Sequence, residues 1–151
     1  MIDATCCSGL TSLTSSDITG NGTPYTYDEV YKVTSDLTIP SNYEITITGT
    51  VLFDADITIS TPGGTVNSTL VTVNSGTELI IDGGNLRGWC EKMWKGIEMG
   101  DATKLTMDSA YFADSYEGIY SDSSSTTPLK YNIDKSEFNN NRRGFRAYDI
   151  D

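Results

Sequence analysis

The sequence predicts an all-β protein folded as a right-handed parallel β-helix with coils of about 22–28 residues. The composition favours strands, because Thr, Val, Ile and 9 Tyr suit a half-buried pleated surface and 14 Gly mark bends. Short segments alternate apolar and polar residues. In addition, residues 108–120, DSAYFADSYEGIY, align without gaps with residues 134–146, DKSEFNNNRRGFR, at an offset of 26 (134 − 108).

The first predicted elements are strands that follow a polar segment. Residues 1–30 are rich in Ser and Thr, and we interpret them as a leader or an N-terminal cap. The β-helix is predicted over residues 31–151, truncated at its C-terminal end. Each strand segment has the period of two that marks one buried face. The first five strands are predicted at residues 31–39, 43–53, 56–60, 69–73 and 77–82.

The later elements are predicted from the repeat. A unit of about 26 residues holds three short strands and their corners, and such units must stack to bury their apolar faces. Residues 89–99, WCEKMWKGIEM, fit the repeat as the entry to a strand rather than as a helix. The repeated positions are Asp82, Asp108 and Asp134, then Gly96, Gly118 and Gly144, and the predicted inward residues are Leu79, Ile81, Ile97, Leu105, Met107, Phe112, Ile119, Ile133, Phe138 and Phe145.

The charge distribution argues against several classes of partner. The formal net charge is −11, and residues 1–86 hold ten acidic residues against one base, Lys32. Nucleic acid is therefore not an expected partner, because its phosphates would be repelled. No apolar run is long enough to span a bilayer, so we expect no membrane insertion. The chain has no His, which removes Ser-His and Cys-His nucleophile pairs and His-based zinc sites.

The last coil predicts a stacking partner. After Phe145 the sequence gives only RAYDID, which is too short to cap the exposed end of a stack. We therefore expect the native protein to continue with further coils. Stacking of a second copy of the chain at this end is the alternative.

Two consecutive stretches resemble a known family. CEKMWKGIEM (90–99), followed by KLTMDSAYFADSYEGIY (104–120), resembles the right-handed β-helix regions of large secreted surface proteins of Bacteroidetes. The resemblance extends over residues 50–146; MWKGI is its more specific part, whereas the coil pattern is general to pectin-lyase-like solenoids. It implies an exported chain that is secreted or displayed on the cell surface.

Aromatic and cationic residues form the first candidate site. Exposed rings near corners can stack on sugar faces or dock another surface protein, so a glycan or such a protein is the expected partner. The alternative is that Trp94 belongs partly to the core and that the Tyr rings lie flat on strands. The predicted carbohydrate-binding residues are Trp89, Trp94, Tyr116, Tyr120 and Arg143.

The repeated Asp is the second candidate site. Stacked carboxylates of Asp82, Asp108 and Asp134 would lie about 4.8 Å apart and repel by about 1 kcal/mol per neighbouring pair even in water. Bound Ca²⁺ would offset this repulsion, and no other cofactor is predicted. Lys135 or turn amides that bond each Asp locally would do the same, and this is the commoner arrangement.

The cysteines give a third candidate. In an exported chain, Cys7 could form a disulfide with Cys90 and close a long loop. The total of 3 Cys is odd, so three reduced, buried thiols, including Cys6, are the alternative.

Three arginines suggest an enzyme as an alternative function. In polysaccharide lyases of this fold, an Arg near carboxylate-bound calcium removes the proton alpha to a uronate carboxylate, and Arg142, Arg143 and Arg146 are the residues of that type here. Arg143 also aligns with Glu117 one coil earlier, so an ion pair explains the cluster without catalysis. The NTD, DD and GHG clusters of pectin-hydrolysing β-helices are absent from the sequence.

Three functions therefore stay open. The main hypothesis is a non-catalytic structural or adhesive module of an exported cell-surface protein, with a glycan-binding face. The alternatives are a fragment of a polysaccharide lyase or glycosidase and a subunit of a self-assembling extracellular filament.

Overall fold

The computed structural model describes residues 9–54, 69–89, 92–121, 127 and 129–146. Within these residues the chain is mostly β, with one short helix, α1, at Ser15–Asn21. The strands are β1 (Thr11–Ser12), β2 (Tyr25–Tyr27), β3 (Val30–Val33), β4 (Leu37–Ile39), β5 (Glu44–Ile47), β6 (Thr50–Phe53), β7 (Leu70–Val73), β8 (Glu78–Asp82), β9 (Asn85–Gly88), β10 (Trp94–Met99), β11 (Lys104–Asp108), β12 (Tyr111–Ala113), β13 (Ser115–Ser121), β14 (Lys130–Asp134), β15 (Glu137–Asn139) and β16 (Phe145–Arg146).

The strands form three parallel sheets. Sheet A contains β1, β3, β6, β9, β12 and β15, sheet B contains β2, β5, β8, β11 and β14, and sheet C contains β4, β7, β10, β13 and β16. From β2 onward, successive strands pass through sheets B, A and C in rotation, so every three strands make one layer. The five layers are β2–β4, β5–β7, β8–β10, β11–β13 and β14–β16. The prediction of a fold dominated by parallel strands is confirmed.

The register of the later layers confirms the 26-residue repeat. Asp108 lies opposite Asp82 in one neighbouring strand and opposite Asp134 in the other. Gly96 lies opposite Gly118, an offset of 22 (118 − 96), because the third layer has its extra residues between β9 and β10. Stacked layers therefore keep their strands in register while their corners vary in length.

The earlier layers keep the same arrangement with different offsets. Tyr25 lies opposite Ile45, an offset of 20 (45 − 25), and Ile45 lies opposite Leu79, an offset of 34 (79 − 45). The larger offset includes the connection from β6 to β7, in which residues 55–68 lie outside the described residues, as does the strand predicted at 56–60.

An aromatic column crosses the core from the second layer to the fifth. Trp94 stacks on Phe53, with ring centroids 3.8 Å apart and planes at 4°. Phe112 lies 5.0 Å from Trp94, and Phe138 lies 5.5 Å from Phe112. Such rings bury large apolar areas and add roughly 0.5–1.5 kcal/mol per pair beyond that burial, so this column ties the layers together.

Most of the predicted inward residues are buried. The exceptions are all in the fifth layer: Ile133 and Phe145 are each 39 % exposed, and Phe138 is half-buried. Within the described residues, strands β14 to β16 pair on one side only, so no further layer covers these side chains. The buried residues are Leu79, Ile81, Ile97, Leu105, Met107, Phe112 and Ile119.

The N-terminal segment contains a helix that the sequence analysis did not predict. Thr14 and Asp17 form a capping box at the start of α1, which satisfies N–H groups that the helix leaves free. Ile18 is buried, and Ser15 accepts a hydrogen bond from the backbone N–H of Thr38 in β4 at 2.8 Å. Thus α1 covers the edge of sheet C. Within the described residues, no helix has the length and apolar character needed to cross a bilayer.

Recurring positive φ angles shape two of the corners. Gly83, Ser109 and Lys135 have φ of 64°, 52° and 44° where sheet B passes to sheet A. Asp114 and Asn140 have φ of 61° and 48° where sheet A passes to sheet C. Asp and Asn tolerate this left-handed conformation better than other residues with side chains. The same backbone turn is therefore repeated from one layer to the next.

The recurring Gly has a steric cause. A side chain at Gly96 would collide with the backbone oxygen of Gly118, and one at Gly118 would collide with the backbone of Gly144. Gly96 and Gly118 also have φ of +130° and +73°, in the region that favours glycine. At Gly96 and Gly118 a side chain is therefore excluded because the backbones of adjacent layers approach closely, whereas a Cβ added at Gly144 would meet no described atom within 4 Å.

Candidate functional site

The candidate site lies on the edge between sheets A and C and on the adjoining outer face of sheet C. The connections at this edge vary most in length: β6 ends at Phe53 and β7 begins at Leu70, whereas Asp114 alone joins β12 to β13. Irregular connections held on a rigid framework are where binding residues are often found. This edge also carries most of the residues nominated from the sequence.

Tyr116 and Arg142 form the first pair of the site. The guanidinium carbon of Arg142 lies 4.3 Å from the centroid of the Tyr116 ring. The backbone N–H of Arg142 donates to the carbonyl of Ser115 at 2.9 Å, which fixes the position of this corner. A cation over an exposed ring contributes about 0.5–1 kcal/mol. The predicted site residue Tyr116 is half-buried, with its ring under the arginine.

Glu117 and Arg143 form the second pair. The Arg143 guanidinium donates to the Glu117 carboxylate at 2.7 Å, and an Arg146 nitrogen lies 4.0 Å from the same oxygen. The Glu117 side chain is 18 % exposed and that of Arg143 is 48 % exposed. The ion pair proposed from the alignment of these two residues is therefore present. Arg143 remains accessible along part of its side chain.

Tyr120 is less accessible than predicted. It is only 8 % exposed, its hydroxyl donates to a Glu98 carboxylate oxygen at 3.4 Å, and Arg146 lies 5.5 Å from its ring centroid. Burial, followed by the charges of Glu98 and Glu117, raises the pKa of Tyr120 above its ordinary value. The expectation of an exposed sugar-stacking ring is wrong here, because neighbouring layers and Arg146 cover the ring.

Trp94 belongs to the core. It has no exposed surface, and its indole N–H donates to the carbonyl of Ala113 at 2.8 Å. Its place in the carbohydrate-binding set is therefore wrong, and the alternative of a core role is correct. Trp94 lies opposite Ser115 at a register shift in β10, which turns the ring inward towards Phe53.

Trp89 is the remaining aromatic candidate at the edge. It is half-buried and follows β9 directly. Nearby, Lys92 forms an ion pair with Asp54 at 2.9 Å. Among the described residues, no hydrogen-bond acceptor meets the indole N–H of Trp89. Trp89 and Tyr116 are therefore the two nominated rings with accessible surface on this edge.

Amide side chains that the sequence analysis did not nominate bind the last two layers together. Asn140 donates to the Asp114 carboxylate at 2.7 Å, and Asn141 accepts from the Ser115 hydroxyl at 2.7 Å. Asn141 also donates to the carbonyl of Phe112 at 3.0 Å. Asp114 and Asn140 are 26 positions apart, and so are Ser115 and Asn141. The alignment of DS at 114–115 with NN at 140–141 was therefore the signal in the sequence for these contacts.

The repeated Asp residues stack as predicted, at the corner between sheets B and A. All three are exposed. Asp108 accepts from the Ser109 hydroxyl at 3.0 Å, and Asp134 pairs with Lys135 at 2.9 Å, so local bonding is observed for Asp108 and Asp134. Within the described part of the chain, no group of three or more carboxylate or thiol residues is arranged to hold a metal. Calcium at Asp82, Asp108 and Asp134 stays a prediction.

The predicted disulfide cannot be placed. Cys6, Cys7 and Cys90 lie outside the described residues, so the pairing of Cys7 with Cys90 stays a prediction.

A small cavity lies between the first three layers. It has a volume of about 20 Å³ and is lined by aliphatic and aromatic side chains such as Leu13, Ile39 and Phe53. This volume is close to that of one water molecule. That cavity is therefore too small for a glycan.

The arginines nominated for catalysis are held in contacts between layers. Arg142 covers Tyr116, while Arg143 and Arg146 both approach Glu117. Glu98 also belongs to this cluster, because it accepts a hydrogen bond from the Tyr120 hydroxyl. The cluster therefore combines cations, carboxylates and rings on one face. Chemically, this face can hold a polar ligand by hydrogen bonds from guanidinium groups beside an aromatic surface.

Comparison of the chain with protein-family models, curated proteins and solved structures finds no match. The resemblance to β-helix regions of secreted Bacteroidetes proteins therefore stays a prediction.

Proposed function

We propose that the chain is a right-handed parallel β-helix that serves as a non-catalytic structural and adhesive module of an exported cell-surface protein. The rotation of strands through three parallel sheets supports the β-helix. Crossover connections between parallel strands are right-handed in nearly all proteins, which supports the hand. In this arrangement each layer is a short, closed turn, and the stack is a stiff rod.

The observation that carries the proposal is the use of surface side chains for joining layers. Lys104 pairs with Glu78 at 2.5 Å, Arg143 with Glu117 at 2.7 Å and Asn140 with Asp114 at 2.7 Å, and in each pair the residues are 26 positions apart. A catalytic arginine must be free to approach substrate, whereas these contacts hold Arg143 against its own protein. They favour a rod that resists shear between layers.

The binding face of this module is the edge between sheets A and C. Trp89 and Tyr116 supply half-buried rings, and the half-exposed Arg143 supplies donors for sugar hydroxyls or for a surface protein. Export to the cell surface rests on the sequence resemblance and agrees with the acidic, Thr-rich composition. No cofactor is required for this function.

A glycan-binding experiment tests the proposal. The purified chain is applied to a glycan array, and each glycan bound is then incubated with the chain and assayed for new reducing ends. We expect binding without cleavage. A Y116A variant should bind about fivefold more weakly, since loss of one stacking ring costs roughly 1 kcal/mol.

The matched control is E44A, which removes an exposed side chain from β5 in sheet B, outside the edge between sheets A and C. It should bind like the unmodified chain. Cleavage of any bound glycan would refute the non-catalytic role. Equal loss of binding in Y116A and E44A would place the binding face elsewhere.

A further inference from the structure

The corner that carries Trp89 folds back against the end of β9. The backbone N–H of Trp89 donates to the carbonyl of Phe53 at 3.1 Å, which extends the pairing of β6 with β9 by one residue. The N–H of Lys92 then donates to the carbonyl of Trp89 at 3.2 Å. These two backbone bonds hold Trp89 at the end of sheet A and bring Lys92 close to it.

Gly88 allows this close return of the chain. A side chain at Gly88 would collide with the carbonyl oxygen of Lys92 and with the Cβ of Asp114. The backbone of Lys92 therefore packs directly against β9, at a position where only glycine permits such an approach. A larger residue at position 88 would displace Lys92 and the corner to which it belongs.

An ion pair attaches the same corner to the second layer. The Lys92 ammonium lies 2.9 Å from an Asp54 carboxylate oxygen, and the two side chains are 36 % and 27 % exposed. Asp54 follows β6 directly and is itself fixed, because its backbone N–H donates to the carbonyl of Val33 at 2.9 Å. The pair therefore links the corner of the third layer to a position that the first and second layers hold in place.

The Trp89 and Trp94 rings are fixed in different ways. The indole N–H of Trp94 donates to the carbonyl of Ala113 at 2.8 Å, whereas the buried N–H of Trp89 meets no acceptor among the described residues. Trp89 is half-buried, so part of its surface can touch a ligand. Within the part of the chain that the structure describes, the position of the Trp89 ring therefore depends on the corner that carries it.

We infer that Asp54 and Lys92 are positioning residues for Trp89: their ion pair holds the corner in place and so keeps the ring in one position before a ligand arrives. A ring that is already held loses less conformational freedom on binding, which strengthens the binding. This consequence for binding rests on the proposed glycan-binding role of the edge. The sequence analysis did not nominate the pair, because its residues are 38 positions apart and lie outside the 26-residue repeat.

Hydrogen exchange of the Trp89 backbone amide, followed by NMR, tests whether the ion pair holds the corner. The D54N and K92M variants should each raise its exchange rate about two- to fivefold, the factor that corresponds to loss of a partly exposed ion pair. The double variant D54N/K92M should raise the rate no further than K92M alone, because Asp54 acts through Lys92. K92R, which keeps the positive charge, should exchange like the unmodified chain.

The matched control is K104M, which removes a surface ion pair of the same kind, with Glu78, from sheet B. It should leave the exchange rate of the Trp89 amide unchanged. Unchanged exchange in both D54N and K92M would overturn the inference. An equal increase in K104M would overturn it as well, because it would show only a loss of overall stability.

Binding to the glycan array connects the corner with the function. To the glycans that the unmodified chain binds, D54N and K92M should bind about two- to fivefold more weakly, whereas K104M should bind equally well. If W89A weakens binding but D54N and K92M do not, the proposed binding edge stands and the positioning role is wrong. If no glycan on the array is bound, the proposed function is wrong, while the exchange rates still decide whether the ion pair holds the corner.

Discussion

The first and fifth layers contain the same columns but differ in how their interiors are covered. At the first layer, Leu13 and Ile18 lie over the interior, and Tyr27 beneath them is only 2 % exposed. At the fifth layer, Ile133 is 39 % exposed although Met107, its neighbour in the same column, is fully buried. The burial of a residue in this fold is therefore set by the layers above and below it as much as by its own strand.

The largest predicted effect is a difference in the free energy of unfolding between a substitution in a middle layer and one in the fifth layer. W94A should lower the free energy of unfolding by about 3–5 kcal/mol, because it removes a wholly buried ring from the aromatic column. F138A should cost less than half as much, since among the described strands β15, which carries Phe138, has a neighbour on one side only. Urea unfolding followed by circular dichroism measures both. Equal costs would show that the fifth layer is as well covered as the third.

The second prediction compares the two ends directly. I18A should cost about 2–4 kcal/mol, because Ile18 is 1 % exposed and covers the interior at the first layer. I133A should cost about 1 kcal/mol or less, since its side chain is already 39 % exposed. Hydrogen exchange of the amides of β4 and β16 reports the two ends separately. If I133A proves the more damaging, the description of a closed first layer is wrong.

A smaller effect on the free energy of unfolding is expected at alkaline pH. Burial, the largest cause in each case, raises the pKa of both Tyr27 and Tyr131 above its ordinary value near 10. Between about pH 10 and the raised value, the unfolded chain loses these protons while the folded chain keeps them, so stability falls as pH rises.

Y27F and Y131F should each reduce this fall, measured as urea midpoints at pH 8 and pH 10.5. An unchanged pH dependence in both variants would contradict the assigned cause.

The smallest effect concerns the ion pairs that join layers. A double-mutant cycle on Glu117 and Arg143 should give a coupling of about 0.2–1 kcal/mol, because solvent screens the partly exposed pair. The same cycle on Glu78 and Lys104, between the third and fourth layers, should give a similar value, since exposure is comparable. A coupling near zero for both pairs would remove the support that surface pairs give to a rigid rod.

The sequence by itself determined the repeated features of this protein. Alternation of apolar and polar residues gave the strands, and the recurrence of Asp and Gly gave the register of the last three layers, because stacked strands must repeat the same inward and outward pattern. The pair of Glu117 and Arg143 followed from the same offset.

Tertiary structure decided what no repeat could specify. It placed Trp94 inward through a local register shift, enclosed Tyr120 between Glu98 and Arg146, and left Ile133 half-exposed. It also stabilised α1, a seven-residue helix too short to form on its propensity alone, by burying Ile18. The physical reason is that burial at a given position depends on groups from other layers, which no local pattern records.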